Sequence, residues 1–122
     1  MKFVREPGSA VTVRQIEQGR IIIGNEELTD NVILFRDEIH RDWKPADVDN
    51  PTSQDLEDLI REKPEVIVFG TGWKTQLPPR ELVFALARRG IGFEMMDTPA
   101  ACRTFNVLVS EDRDVAAVLI IN

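Results

Sequence analysis

The stretch EVIVFGTGWKTQLPPRELVFALARRGIGFEMM, Glu65 to Met96, changes its hydrophobic period twice. EVIVF (Glu65–Phe69) is a near-continuous apolar run of β-formers, the pattern of a strand covered on both faces. Then Pro78-Pro79 opens a helical pattern, with Leu82, Ala85, Leu86 and Arg89 on neighbouring turns. Gly90 stops that helix, and Arg88-Arg89 place positive charge where it complements the helix dipole. IGFEMMD (Ile91–Asp97) returns to a strand.

The same alternation continues on both sides. Upstream, TSQDLEDLIREKP has Thr52 as N-cap, Asp55 three residues on, Leu56, Leu59 and Ile60 at helical spacing, and Pro64 as stop. Downstream, TPAACRTFNVLVSEDR opens with Thr98 as N-cap and Pro99 as first helical residue, and VAAVLII (Val115–Ile121) closes as a strand. From Thr52 onward the chain therefore reads α-β-α-β-α-β. That order implies right-handed crossovers and parallel strands with helices packed on them.

The first third is β. AVTVRQI alternates from Val11 to Ile16, GRIIIGNEEL brings three isoleucines to the turn-favouring pair Gly24-Asn25, and NVILF (Asn31–Phe35) is a third apolar run. Short polar links suit antiparallel hairpins. The expected fold is a three-layer α/β single domain spanning 1–122, with a mixed, mainly parallel central sheet and an N-terminal β-hairpin region. Between the halves, Arg36 to Pro51 is charged, carries two prolines and lacks periodicity. It reads as a long loop, either a solvated connector or one in which Trp43 is an anchor for a partner or a flap over the core.

Composition narrows the function. The chain has 122 residues and a formal net charge of −6, the length of one domain and a charge that repels nucleic-acid phosphates and anionic membranes. One cysteine rules out an intrachain disulfide framework and suits a reducing compartment, the cytoplasm. MKFVREPGSA has no apolar core for a secretory signal, and no stretch has the ~20 apolar residues of a membrane span.

Ligands in parallel sheets bind beyond the carboxyl ends of the strands. Those ends carry Gly70, Thr71, Gly72, Trp73 and Lys74, with Asp97 and Thr98 at the next strand and Cys102 and Arg103 in the helix that follows. These nine residues form the candidate ligand site. A nucleotide fits poorly: the third glycine of G-x-G-x-x-G is replaced by Thr75, and Pro78 and Pro79 have no amide to offer a phosphate. The remaining readings are a tight glycine turn with Trp73 as a lid, or a ligand other than a nucleotide. Arg103 could grip Asp97 or an incoming carboxylate through its fork.

No catalytic set emerges. Cys102 lies near a helix start beside Arg103, a setting that lowers a thiol pKa, but the only histidine, His40, is far away in the charged segment. Cys102 reads better as a small buried hydrophobe and His40 as exposed. Neither a metal site nor a cofactor site is expected. Glu94 and Asp97 are an odd number apart and so face opposite ways on an ideal strand, which leaves Glu94 on an open face or beside a cation.

VIVFGTGWKTQLPP, GIGFEMMDTPAACRTFNVL and SEDRDVAAVLI together resemble a family of small domains of unknown biochemical function. The chain looks like its bacterial members, relatives of the mitochondrial respiratory complex I assembly factor and of an adipogenesis-associated vertebrate protein. Phe105 departs from the Tyr of the family pattern. The resemblance implies a three-layer α/β fold with a mixed sheet and, for its mitochondrial branch, assembly by protein–protein contact rather than catalysis; a protein partner or a homodimer is expected here. It supplies no catalytic residues, and a mitochondrial member would need a transit peptide that the opening residues do not resemble.

Overall fold

The computed structural model describes residues 11–122. MKFVREPGSA, and with it the reading of the opening residues as neither signal nor transit peptide, lies outside the described residues. Two sheets form. In the first, β1 (Val13–Glu17), β2 (Arg20–Ile23) and β3 (Glu26–Leu28) run antiparallel in chain order, with turns at Gly19 and Gly24.

The second sheet has five strands. β4 (Val32–Phe35) and β5 (Glu38–Arg41) form a hairpin, and β4 pairs antiparallel with β8 (Val115–Leu119). β8 and β7 (Gly92–Met96) each run parallel to the central β6 (Val66–Gly70). The order is β5-β4-β8-β6-β7. The sheet is therefore mixed, and the expected parallel pairing of the strands at Val66 and Gly92 is present.

Helices and the small sheet complete three layers. α1 (Glu57–Arg61) extends a 3-10 turn at Gln54–Leu56, α2 is Arg80–Arg88 and α3 is Thr98–Ser110. Period-2 alternation sorts each strand between two cores. Val66, Val68, Ala117 and Leu119 meet Ala101, Cys102 and Phe105 of α3 and the isoleucines of β2. Ile67, Phe69, Ala116 and Val118 meet Leu59, Ile60, Leu82 and Leu86. A side-chain amide stitches the small sheet to α3: Asn106 accepts from the Val13 amide and donates to the Val13 carbonyl, both at 2.9 Å.

Three local expectations are corrected. The charged segment after Phe35 is not all loop, because it contains β5. Arg36 and Asp37 both have positive φ (50° and 63°), which is the two-residue turn whose twist matches a hairpin, built without glycine. Trp43 then folds back as the flap. Its indole N–H donates to the Asp55 carbonyl at 3.0 Å, and its ring meets Phe69 edge-on with centroids 5.8 Å apart.

The helix expected from Thr52 begins as a 3-10 turn before the α-helical residues. The capping exchange is nonetheless made: the Thr52 amide donates to Asp55 at 2.9 Å, and the Asp55 amide donates to the Thr52 hydroxyl at 3.3 Å. The third correction moves the cap of α3. Asp97, not Thr98, is the N-cap, its carboxylate accepting the Ala100 amide at 2.8 Å. Thr98 is free to turn inward.

Candidate functional site

The strand-end corner is built around Thr98, which has no exposed surface. Its hydroxyl accepts the Gly72 amide at 2.8 Å and donates to the Ile120 carbonyl at 2.6 Å, while its own amide donates to the Gly72 carbonyl at 2.7 Å. One side chain thus joins the turn after β6, the start of α3 and the residue after β8.

The two glycines do different work. Gly72 has φ +89° and supplies the tight turn. Gly70 is no turn residue. It ends β6, and a Cβ there would stand 2.8 Å from the Thr98 hydroxyl and 2.9 Å from the Thr98 Cα. Gly70 lets the first turn of α3 rest directly on the sheet.

Thr71 is consumed internally as well. Its amide donates to the Met96 carbonyl at 2.9 Å, and its hydroxyl is within reach of the Lys74 and Met96 carbonyls. The Gly72 amide, which a phosphate would need, already has a partner. The loop closes on protein rather than cradling an anion.

Trp73 is 36% exposed and is not a lid over the core. With Thr71 and Lys74 it lines an open cleft of about 590 Å³, whose other wall includes Asn31, Lys44 and Asp49. Asp97, Thr98, Cys102 and Arg103 do not line that cleft. The nine candidate residues therefore do not form one site: Gly70, Gly72 and Thr98 make a buried clasp, Thr71, Trp73 and Lys74 line a separate cleft, and Asp97, Cys102 and Arg103 belong to neither.

Cys102 sits in the core at 2% exposure. Burial pushes its thiol up to about 12, overriding the opposite pull of the Arg103 charge. It packs as a small hydrophobe of the core. Arg103 is exposed, and no ion pair joins it to Asp97 among the described residues. The Asp97 carboxylate is instead spent on the helix cap. Glu94 is exposed on β7, an edge strand, on the same face as Val68.

A larger cleft lies elsewhere among the described residues. A groove of about 870 Å³ runs between α1 and the β4–β5 hairpin. His40 and Glu38 stand on its wall, Nε2 and Oε1 3.0 Å apart. Sequence reasoning missed it because β5 was hidden in a charged, aperiodic segment. β5 reads EIHR, with Ile39 its one apolar residue among charged and polar neighbours, and so offered no periodic signal. Among the described residues no group of three or more His, Cys, Asp or Glu side chains is placed to hold a metal ion.

Comparison with known proteins fits this geometry. The profile of a protein family of unknown function, DUF498/DUF598, matches residues 13–120. The chain belongs to that family. A relative from Francisella tularensis, the 13 kDa major membrane protein, is 31% identical over 112 residues, 90% of each chain. The zebrafish NADH dehydrogenase [ubiquinone] 1 alpha subcomplex assembly factor 3 is 48% identical over 62 residues. That match covers 51% of this chain but 36% of the assembly factor, so this chain corresponds to about a third of that relative's length.

Solved structures show the same architecture. A Xanthomonas campestris protein superimposes with a TM-score of 0.83 at 30% identity, covering 97% of this chain and 89% of the other. A Bordetella pertussis protein described as a Mth938-like domain gives 0.79 at 25% identity, covering 99% and 92%. The fold of this family member is Mth938-like. No helix among the described residues is long and apolar enough to cross a membrane.

Proposed function

We propose that this DUF498/DUF598 domain is a non-enzymatic, assembly-factor-like module that acts by protein–protein contact. One observation carries the reading: α2 and the link into it leave large apolar side chains in solvent, Leu77 at 92% exposure and Phe84 at 57%. Buried contact with a partner would recover the transfer free energy of such side chains, about 1.5–3 kcal/mol each. The assembly-factor relatives support the class of activity. The corner supports it from the other side, since its polar groups are spent on holding the fold. The acidic chain gives no footing for nucleic acid. A homodimer is the self-associated form of the same reading.

The test is crosslinking and capture in the native cell with the chain and with a Leu77→Asp/Phe84→Asp variant of matched stability. Specific partners lost by the variant support the reading, and partners held equally by both sink it. Sedimentation of the purified chain reports whether a second copy is the partner. A cytoplasmic location is part of this reading, supported by a single cysteine that leaves no intrachain disulfide framework. The Francisella relative's name points instead to membranes, and fractionation decides between them.

A second reading, a small-molecule site at the strand ends, has the Thr71–Trp73–Lys74 cleft in its favour. Its volume falls within the ~300–1,000 Å³ of ligand pockets. A ligand that raises the Tm of the chain but not of Lys74→Met would establish it.

A further inference from the structure

We infer that the groove between α1 and the β4–β5 hairpin binds an extended peptide segment rich in Lys or Arg, which adds as a strand to β5. The inference rests on the contact reading above and names a second surface with a partner chemistry. It starts from charge. Six Asp or Glu side chains line the groove against three Lys or Arg. Two of those cations are already engaged, Arg36 with Asp114 and Glu62, and Arg41 with Glu26. Asp58 is exposed with a long 3.6 Å contact to Arg61, and Glu38 stands 3.0 Å from His40 with the Arg36 charge also acting on it. Of the six carboxylates, Glu62 is held by Arg36, Glu57 by Arg61, and Asp55 accepts from Thr52, which leaves Glu38, Asp42 and the loosely held Asp58 to meet an incoming cation.

The backbone points to the occupant's shape. β5 is the terminal strand of the sheet, and among the described residues it pairs only with β4. Its outer N–H and C=O groups are a template for one more strand. Register puts His40 opposite Ile33 and Glu38 opposite Phe35, so both polar residues project onto the groove face. A helix would press an apolar stripe at least ~100° wide onto Glu38 and His40. An added strand offers that face only every second side chain. A Lys or Arg across from Glu38 makes an opposite-charge cross-strand pair, its methylenes lying toward the apolar floor at Ile33.

The experiment uses the full chain and a fluorescent ten-residue peptide alternating Lys and Val, titrated by anisotropy. A Glu–Val counterpart and a Lys–Val peptide with alternate backbone amides N-methylated serve as probes. Binding of Lys–Val, weakened by salt and lost on N-methylation, is the expected result. Glu38→Lys/Asp58→Lys should weaken it at least about tenfold and transfer preference to the Glu–Val peptide. Asp58 is exposed and Glu38 half-buried, and a thermal melt verifies that the variant folds. Equal binding of the Lys and Glu peptides, no binding of either, equal binding after N-methylation, or no effect of the double reversal would each overturn the inference. Partner capture that survives such a result, yet depends on Leu77 and Phe84, leaves the contact reading standing.

Discussion

The Thr98 hydroxyl accepts the amide hydrogen of Gly72 at 2.8 Å, across 26 residues of sequence and out of contact with solvent. The bond turns what looks like a ligand loop into a structural clasp. Gly72 needs its positive φ to present that amide, and Thr98 can meet it because Asp97 has taken over the helix cap.

Thr98→Val keeps the shape and removes the bonds to Gly72 and Ile120. Each buried group left unpaired costs about 1–3 kcal/mol, so the variant is expected to lose several kcal/mol in urea unfolding. Thr98→Ser retains the hydroxyl and should lose far less. Equal losses would show that the methyl, not the hydroxyl, matters.

Gly70→Ala forces a Cβ to within 2.9 Å of the Thr98 backbone, where no flexible end can move aside. The expected cost is about 1–3 kcal/mol of overpacking. Gly90→Ala meets no atom within 4 Å and tests only the positive φ of 71°. A Gly70→Ala protein as stable as wild type would mean that α3 is not seated on the strand.

Asp97→Ala is expected to cost about 1 kcal/mol, the usual value of an N-cap, while Arg103→Met should change stability by less than about 0.5 kcal/mol. The double variant should be additive, because no ion pair joins the two. A coupling energy above about 1 kcal/mol would restore the charged clamp that the spacing suggests.

Cys102 links stability to alkaline pH. Its folded pKa, about 12, is raised above the ordinary 9.0. Below 9.0 the thiol is protonated in both states and its stabilising share is whole; from there up to about 12 only the unfolded thiol ionises, so stability falls. Cys102→Ala should remove this component, narrowing its stability gap to wild type as pH climbs through that window. Native alkylation at neutral pH should be slow and become fast only on unfolding. Rapid native labelling would place the thiol in solvent.

Much of the fold was legible because periodicity is a local signal. EVIVF and VAAVLII could only be strands covered on both faces, and Leu82 and Leu86 could only face a core from a helix. Gly90, Pro64 and the Thr52–Asp55 exchange marked ends through the chemistry of one or two residues. These features rest on backbone geometry within a few residues, which side-chain identity directly constrains.

The site was not local in this sense. The sequence placed Gly70, Thr98 and Arg103 near the strand ends, but only packing decided that Gly70 and Thr98 touch and that Asp97 turns to its own helix instead of to Arg103. The β5 hairpin turned on Arg36 and Asp37 taking a conformation that glycine or asparagine would have announced. Arg36 there bonds Asp114, 78 residues away, at 3.0 Å. The acidic groove exists because that hairpin folds beside α1. Short-range preferences are written residue by residue, whereas such meetings depend on which surfaces the whole chain buries together.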